Sequence, residues 1–259
     1  KKYIYAIATP ILFCGPRKSD FLYKLLNQLD QDISSGFIQS RVDISQIINK
    51  EENPLFYYII EGRNNYRIDL ELNTQSYFDT LKKDSKQRYK RIDKLKTKYN
   101  LIENSNCEKS IESFVKLYND SAKTNRFPKS YQFNQESWVK LLSSEFWKLY
   151  SLFYEDKLVA ACVLAQVEDS YDYSFMAFKK DHKDASRALI FLLRNHLNLI
   201  NSCKYLYLGG GIRETDSLAD FKKSVGGVGV PFTRMKFMNK KIFNIENKIA
   251  EKLLKGRWP

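Results

Sequence analysis

The residues best equipped for chemistry in this chain crowd into one stretch. Tyr205-Leu-Tyr-Leu-Gly-Gly-Gly211 is an apolar, strand-like run that ends in three glycines, and Asp216-Ser-Leu-Ala-Asp-Phe-Lys-Lys223 and Gly226-Gly227 follow it. Glycines at a strand end let backbone N–H groups approach a ligand closely, and Lys222 and Lys223 on the short helix behind them add positive charge. The spacing therefore suits an anionic ligand held by Gly209, Gly210 and Gly211, although the same glycines suit a tight turn with positive φ equally well. Asp216 has two open roles, orienting an amine or capping the helix Ser217–Ser224. Arg88 and Arg91, three residues apart in a helical pattern, project from one face and offer guanidinium forks to oxyanions. Tyr131 and Phe133 can form an apolar wall or simply pack in a core.

Other chemistries are poorly represented. Only two histidines, His182 and His196, and four scattered cysteines, Cys14, Cys107, Cys162 and Cys203, occur, with no CxxC spacing. Neither a metal site nor a disulfide framework is expected, and His196, inside an apolar helix, reads as a packed residue. No Ser-His-Asp or Cys-His arrangement is legible, which favours direct attack by an acceptor over a covalent enzyme intermediate.

The net charge of +13 attracts nucleic acid, anionic lipid or phosphorylated substrates without choosing among them. It is concentrated in Lys82–Lys98, where nine basic residues stand against Asp84 and Asp93, and the plain alternative there is the solvated face of a surface helix. No stretch approaches the roughly 20 consecutive apolar residues of a membrane span. The opening Lys1–Phe13 reads better as a strand than as a signal sequence, so a cytoplasmic location is expected.

Several elements must position these residues. The 259 residues suffice for one large domain or two small ones. The first part reads as a strand at Tyr3–Ala8, a turn at Cys14-Gly15-Pro16, a helix over Ser19–Ile33 and a strand at Phe37–Val42. Strands are expected at Leu55–Ile60 and Tyr66–Leu72 with a turn at Asn64-Asn65, and one long amphipathic helix over Thr74–Tyr99. A short strand at Leu101–Glu103 and helices over Glu108–Thr124 and Glu136–Leu142 follow. Strands at Leu149–Tyr154, Leu158–Gln166 and Tyr171–Phe178 then precede an apolar helix over Ala185–Ile200 and the strand at Tyr205–Leu208. The helix Ser217–Ser224, a hairpin centred on Asn239-Lys240 and a basic terminal helix close the chain.

The element order from Leu101 to Phe243, β-α-α-β-β-β-α-β-α-β, resembles the Gcn5-related N-acetyltransferase (GNAT) fold. More narrowly, the chain resembles the Fem-type (FemAB) peptidyltransferase branch of that superfamily. The resemblance is carried by Thr9-Pro-Ile-Leu-Phe-Cys-Gly-Pro16, by Ile68-Asp69-Leu70 with Lys86-Gln-Arg-Tyr-Lys-Arg91, by Tyr131-Gln-Phe133, and by Tyr207-Leu-Gly-Gly-Gly211 with Asp216–Lys223. It implies an α/β (α+β) tandem GNAT-like fold with mixed, mostly antiparallel sheets flanked by helices. Residues 1–65 would form a shortened N-terminal unit and residues 66–259 a complete C-terminal one. The helical hairpin arm that larger members use toward tRNA has no counterpart here.

The resemblance also implies an acyltransferase that moves an acyl or aminoacyl group to an amine of a cell-envelope, peptidoglycan-type precursor. No tightly bound cofactor is implied. The co-substrate would be aminoacyl-tRNA, the favoured donor, or an acyl-CoA or other acyl thioester acting on an amino sugar. Donor binding falls to Gly209, Gly210, Gly211, Ser186, Arg187, Phe221, Lys222 and Lys223, with Asp216 and Lys222 nearest the chemistry. A phosphorylated or lipid-linked acceptor falls to Arg88, Arg91, Tyr131, Phe133 and Tyr173. The loop Lys179–Arg187, which should bind a coenzyme A pyrophosphate, has no glycine, which disfavours ordinary acetyl-CoA; Asp184 or Ser186 there can equally be a helix cap. A different class stays open: a non-catalytic GNAT-like module that binds RNA or an anionic membrane through Lys82–Lys98, peripherally at the inner membrane face.

Overall fold

The computed structural model describes residues 35–40, 56–105, 107–125, 127, 132–167, 169–200, 203–210, 217–239, 246, 248–249 and 252. The expected strand Tyr3–Ala8, the turn at Cys14, the helix Ser19–Ile33, and the site residues Tyr131, Gly211 and Asp216 lie outside them. Residues 1–64 with 231–259 form one compact unit and residues 65–230 another. In the first, β1 (Ser35–Ser40) pairs antiparallel with the outer part of β8 (Val228–Asn239), Ser35 opposite Met238 and Ser40 opposite Thr233.

The second unit is organised around a strand with no polar side. Within β5 (Lys157–Val167), the run Val-Ala-Ala-Cys-Val-Leu-Ala from 159 to 165 is apolar without alternation, the pattern of a strand covered on both faces. All seven side chains are buried. On one side β5 pairs antiparallel with β4 (Trp147–Tyr154), and β4 with β3 (Tyr99–Glu103). On the other it pairs antiparallel with β6 (Ser170–Phe178). Helix α5 (Ala185–Ile200) then carries the chain over to β7 (Tyr205–Gly210), which runs parallel to β6, as a crossover connection requires. The end of β2 (Phe56–Asp69) pairs antiparallel with β7.

Period-two alternation distributes the side chains between two layers. Tyr150, Leu152, Cys162, Leu164, Tyr171, Leu206 and Leu208 join the core beneath α5, together with α1 (Thr74–Thr80), α2 (Lys83–Lys94) and α6 (Ser217–Ser224). Facing away from them, Phe175 meets Tyr118 of α3 (Glu108–Thr124) and Trp138 of α4 (Gln135–Leu142) at 6.2 and 5.0 Å between ring centroids. The mixed, mostly antiparallel sheet flanked by helices and the element order from β3 onward are those of a GNAT-like fold.

Two local expectations are corrected. The helix expected over 74–99 is broken: Leu81 and Lys82 are extended, with ψ of 145° and 159°, a 3-10 turn occupies Lys96–Lys98, and Tyr99 opens β3 opposite Tyr154. Buried Tyr77, Leu81, Ser85, Tyr89 and Ile92 keep helical spacing across the break, so periodicity alone could not reveal it. Asp84 in the first turn of α2 favours a fresh helix start. Likewise, Asn64-Asn65 is not a turn; β2 runs through it, and the ladder to β7 shifts register between Asn65 and Arg67.

Candidate functional site

Strands β6 and β7 pair only over Ser170–Asp172 and Tyr205–Tyr207, while β6 continues against β5 as far as Phe178. The two parallel strands therefore part at Tyr173 and Leu208. A register shift sharpens the parting: Val163 pairs with Phe175 but Leu164 with Tyr173, so Ser174 bulges out of the ladder. The result is a wedge whose walls carry backbone N–H and C=O groups released from pairing with each other. Such groups need partners.

Glycines and a lysine build the β7 wall. Gly209 has φ +77°, a conformation L side chains rarely adopt. Lys222, on α6, is only 7% exposed, and its Nζ donates to the Gly210 carbonyl at 2.6 Å. The turn after α6 is fixed in its place: Tyr77 Oη donates to the Val225 carbonyl at 2.7 Å, and Gly226, at φ +84°, lies against the Tyr77 ring. Lys223 points elsewhere, exposed, 3.9 Å from Asp220 and over the Tyr66 ring. The sequence treated the two lysines as a pair; the structure separates them.

At the apex, Arg67 reaches across from β2. It stacks over Tyr205 at 4.2 Å and its guanidinium is held above its ordinary value, first by a hydrogen bond to Tyr207. In the wall itself, Tyr173 has a buried hydroxyl with no hydrogen-bond partner. Burial, and then the nearby Cys162, push this phenol well above its usual value, so it remains an O–H donor.

A second cluster sits where β6 gives way to α5. Asp184 immediately precedes the helix, and its carbonyl accepts from the Ala188 N–H at 2.8 Å. Its carboxylate, 8% exposed as a residue, is bonded by Arg91 and lies 3.5 Å from Arg88 Nη1. Arg187, in the first turn of α5, stacks on Phe221 at 5.2 Å. Burial lowers its pKa, the neighbouring Arg88 lowers it further, and Asp184 opposes both. Ser186 is half-buried in the same first turn. His182, in the approach loop, lies 4.8 Å from the Tyr154 ring and 5.9 Å from Tyr99, with a buried, unpartnered Nδ1.

Arg88 and Arg91, expected on the acceptor side, and Ser186, Arg187 and Phe221, expected on the donor side, thus share one neighbourhood. Phe133 does not join them; it packs edge-on to Trp138 and Phe175 at 5.3 and 5.7 Å, in the layer opposite Tyr173. Sequence reasoning missed Arg67 and the ion-pairing role of Asp184. Nothing local marks either, since their partners are 140 and 93 to 96 residues away.

No family model matches the sequence, and comparison with curated proteins finds no match. Solved structures do share the fold. FemX superposes with a TM-score of 0.61 at 10% identity, over 92% of this chain and 80% of that one. The C-terminal domain of a putative lysylphosphatidylglycerol synthetase from Agrobacterium fabrum gives 0.59 at 11% identity, over 93% and 77%. L-PGS from Bacillus licheniformis gives 0.57 at 12%, over 92% and 78%. At these identities the likeness concerns the fold. Among the described residues, no helix is long and apolar enough to cross a membrane.

Proposed function

We propose that the chain is an acyltransferase that forms an amide on an amine of a cell-envelope precursor, with aminoacyl-tRNA as the favoured donor. One observation carries this: β6 and β7 part beyond Asp172 and Tyr207, against a glycine end braced by Lys222. An acyl or aminoacyl chain lying extended in such a wedge can pair its own carbonyls and amides with the released backbone groups, which also polarise the carbonyl to be attacked. The acceptor's neutral amine attacks that carbon; the C–N bond forms and the ester C–O bond breaks. The nitrogen's surplus proton leaves with the departing oxygen.

In this reading Gly209 and Gly210 line the donor side, and Lys222 positions them by holding the Gly210 carbonyl. Tyr173, whose buried hydroxyl has no partner at the point of parting, would be the donor to the reacting groups. The solved structures named as FemX and L-PGS support the choice of reaction class by sharing the fold.

The test is a donor screen. Purified chain is offered labelled aminoacyl-tRNA or acyl-CoA together with a peptidoglycan precursor amine, and labelled amide is counted. Transfer from charged tRNA, lost in Lys222→Met, is the expected result. Transfer from acyl thioester alone selects the thioester-dependent N-acyltransferase instead. No donor consumed, with RNA bound through the exposed Lys83, Lys90 and Lys94 of α2, overturns the enzyme reading in favour of a binding module.

A further inference from the structure

A helix start beside three arginines is ordinarily a place for a ligand's phosphates, because the first-turn N–H groups and the guanidinium forks all favour negative charge. Here that place is taken. Asp184, more than nine-tenths buried, puts its own carboxylate between the start of α5 and Arg88 and Arg91. The approach loop Lys179–Arg187 has no glycine with which to fold a cradle of N–H groups around a second anion. Any diphosphate arriving here meets a desolvated like charge and competes with it for Arg91, which is bonded to it, and for Arg88, 3.5 Å away.

We infer that Asp184 is a specificity-determining residue: by filling the anion position before α5 it turns away donors that would anchor there through a pyrophosphate, such as coenzyme A thioesters. This rests on the reading of the wedge as an acyl-donor site and narrows the donor class. The cluster is built as though for an anion. Two cationic side chains, Arg88 and Arg91, lie against one carboxylate with Arg187 close enough to feel its charge, the Asp184 Oδ1 accepts no hydrogen bond although Arg88 is near, and Arg187 keeps a buried Nε without a partner. Unmet groups of this kind show that Asp184 fits the position less completely than an oxyanion with more acceptor atoms would. Removing its charge should therefore convert an excluding site into a binding one.

The experiment is calorimetric titration of the full chain with inorganic pyrophosphate and, separately, with coenzyme A, at low ionic strength. Wild type is compared with Asp184→Asn, which keeps the shape and the helix-capping capacity, and with Asp184→Ser, a second capping residue that serves if the first fails to fold. Wild type should show no saturable binding below the millimolar range. Either folded variant should bind both probes at least tenfold more tightly, and adding Arg88→Gln and Arg91→Gln should remove the gain. Wild type binding either probe as tightly as the variants overturns the inference, as does a variant of unchanged melting temperature that gains nothing. Binding is read without turnover, so a failure here leaves the donor screen standing, and a chain that transfers nothing still answers this question.

Discussion

Replacing Gly226 with alanine should cost the larger unit about 2–5 kcal/mol, from two separable sources. The glycine sits at φ +84°, and an L side chain in that region costs roughly 1–2 kcal/mol. The added Cβ would also lie 2.6 Å from Tyr77 Cε2 and 3.2 Å from Leu81 Cδ2. Tyr77 cannot swing aside freely, because it is 1% exposed and its hydroxyl is tied to Val225. Overpacking of this sort costs about 1–3 kcal/mol, and the total is a large share of the roughly 5–15 kcal/mol that holds a typical domain folded. Urea unfolding read by fluorescence measures it, with Trp258 replaced by phenylalanine so that Trp138 and Trp147 of this unit report. A cycle with Tyr77→Leu separates the parts: in that background Gly226→Ala should cost only the backbone share, about 1–2 kcal/mol. A loss under about 1 kcal/mol in the parent, or an equal loss in both backgrounds, would refute the packing argument.

Three further outcomes follow from the same contacts. Arg194 is fully buried, donates to the Leu72 carbonyl and stacks over Tyr77 at 4.5 Å, so Arg194→Met should cost about 1.5–3 kcal/mol for the lost charged hydrogen bond, the carbonyl keeping only its longer bond from Asn198 at 3.4 Å; a thermal melt unchanged within a degree contradicts this. Tyr99 is pushed up to about 12, by burial first and by the Asp184 carboxylate second, so Asp184→Asn should lower its phenol toward the ordinary value in an ultraviolet titration; no movement would mean the two groups do not sense each other. Lys98, bonded to Glu155 at 2.7 Å, holds that carboxyl below its usual range. A depressed carboxyl stabilises above its unfolded pKa and loses the contribution as pH falls through the folded one, so Lys98→Ala should raise the Glu155 midpoint in an NMR titration and remove that acid-side loss.

Much of the larger unit was legible because its elements carry strong periods. The unbroken apolar run of β5, the stripe of α3 and the core-facing stripe of α5 each permit one arrangement, and helices expected at 108–124, 185–200 and 217–224 stand where the spacing put them. The glycine run at 209–211 correctly marked a strand end needing unusual backbone, seen at Gly209. What sequence could not convey was direction. Lys222 and Lys223 are neighbours in sequence, but successive helical residues point about 100° apart, and that alone sends one into the wedge wall and the other to solvent. The meeting of Arg88 and Arg91 with Asp184 depends on α2 packing near the start of α5, a tertiary fact absent from either segment. The break at Leu81-Lys82 was hidden because the core stripe continues through it.

The parting of β6 from β7 also gives one strand two clocks. Amides of β6 that point to β5 sit in a ladder unbroken by solvent apart from its bulge, beside a strand buried on both faces, and open only when the unit does. Those that point the other way beyond Asp172 have no β7 partner to release. Past the bulge at Ser174, hydrogen exchange along Phe175–Ala177 should therefore alternate between slow and fast from one residue to the next, and Phe178 is protected instead by its bond to the Ser121 hydroxyl at 3.3 Å. Any ligand that lies in the wedge must slow the fast set first, so the occupant's backbone contacts can be counted before its identity is known.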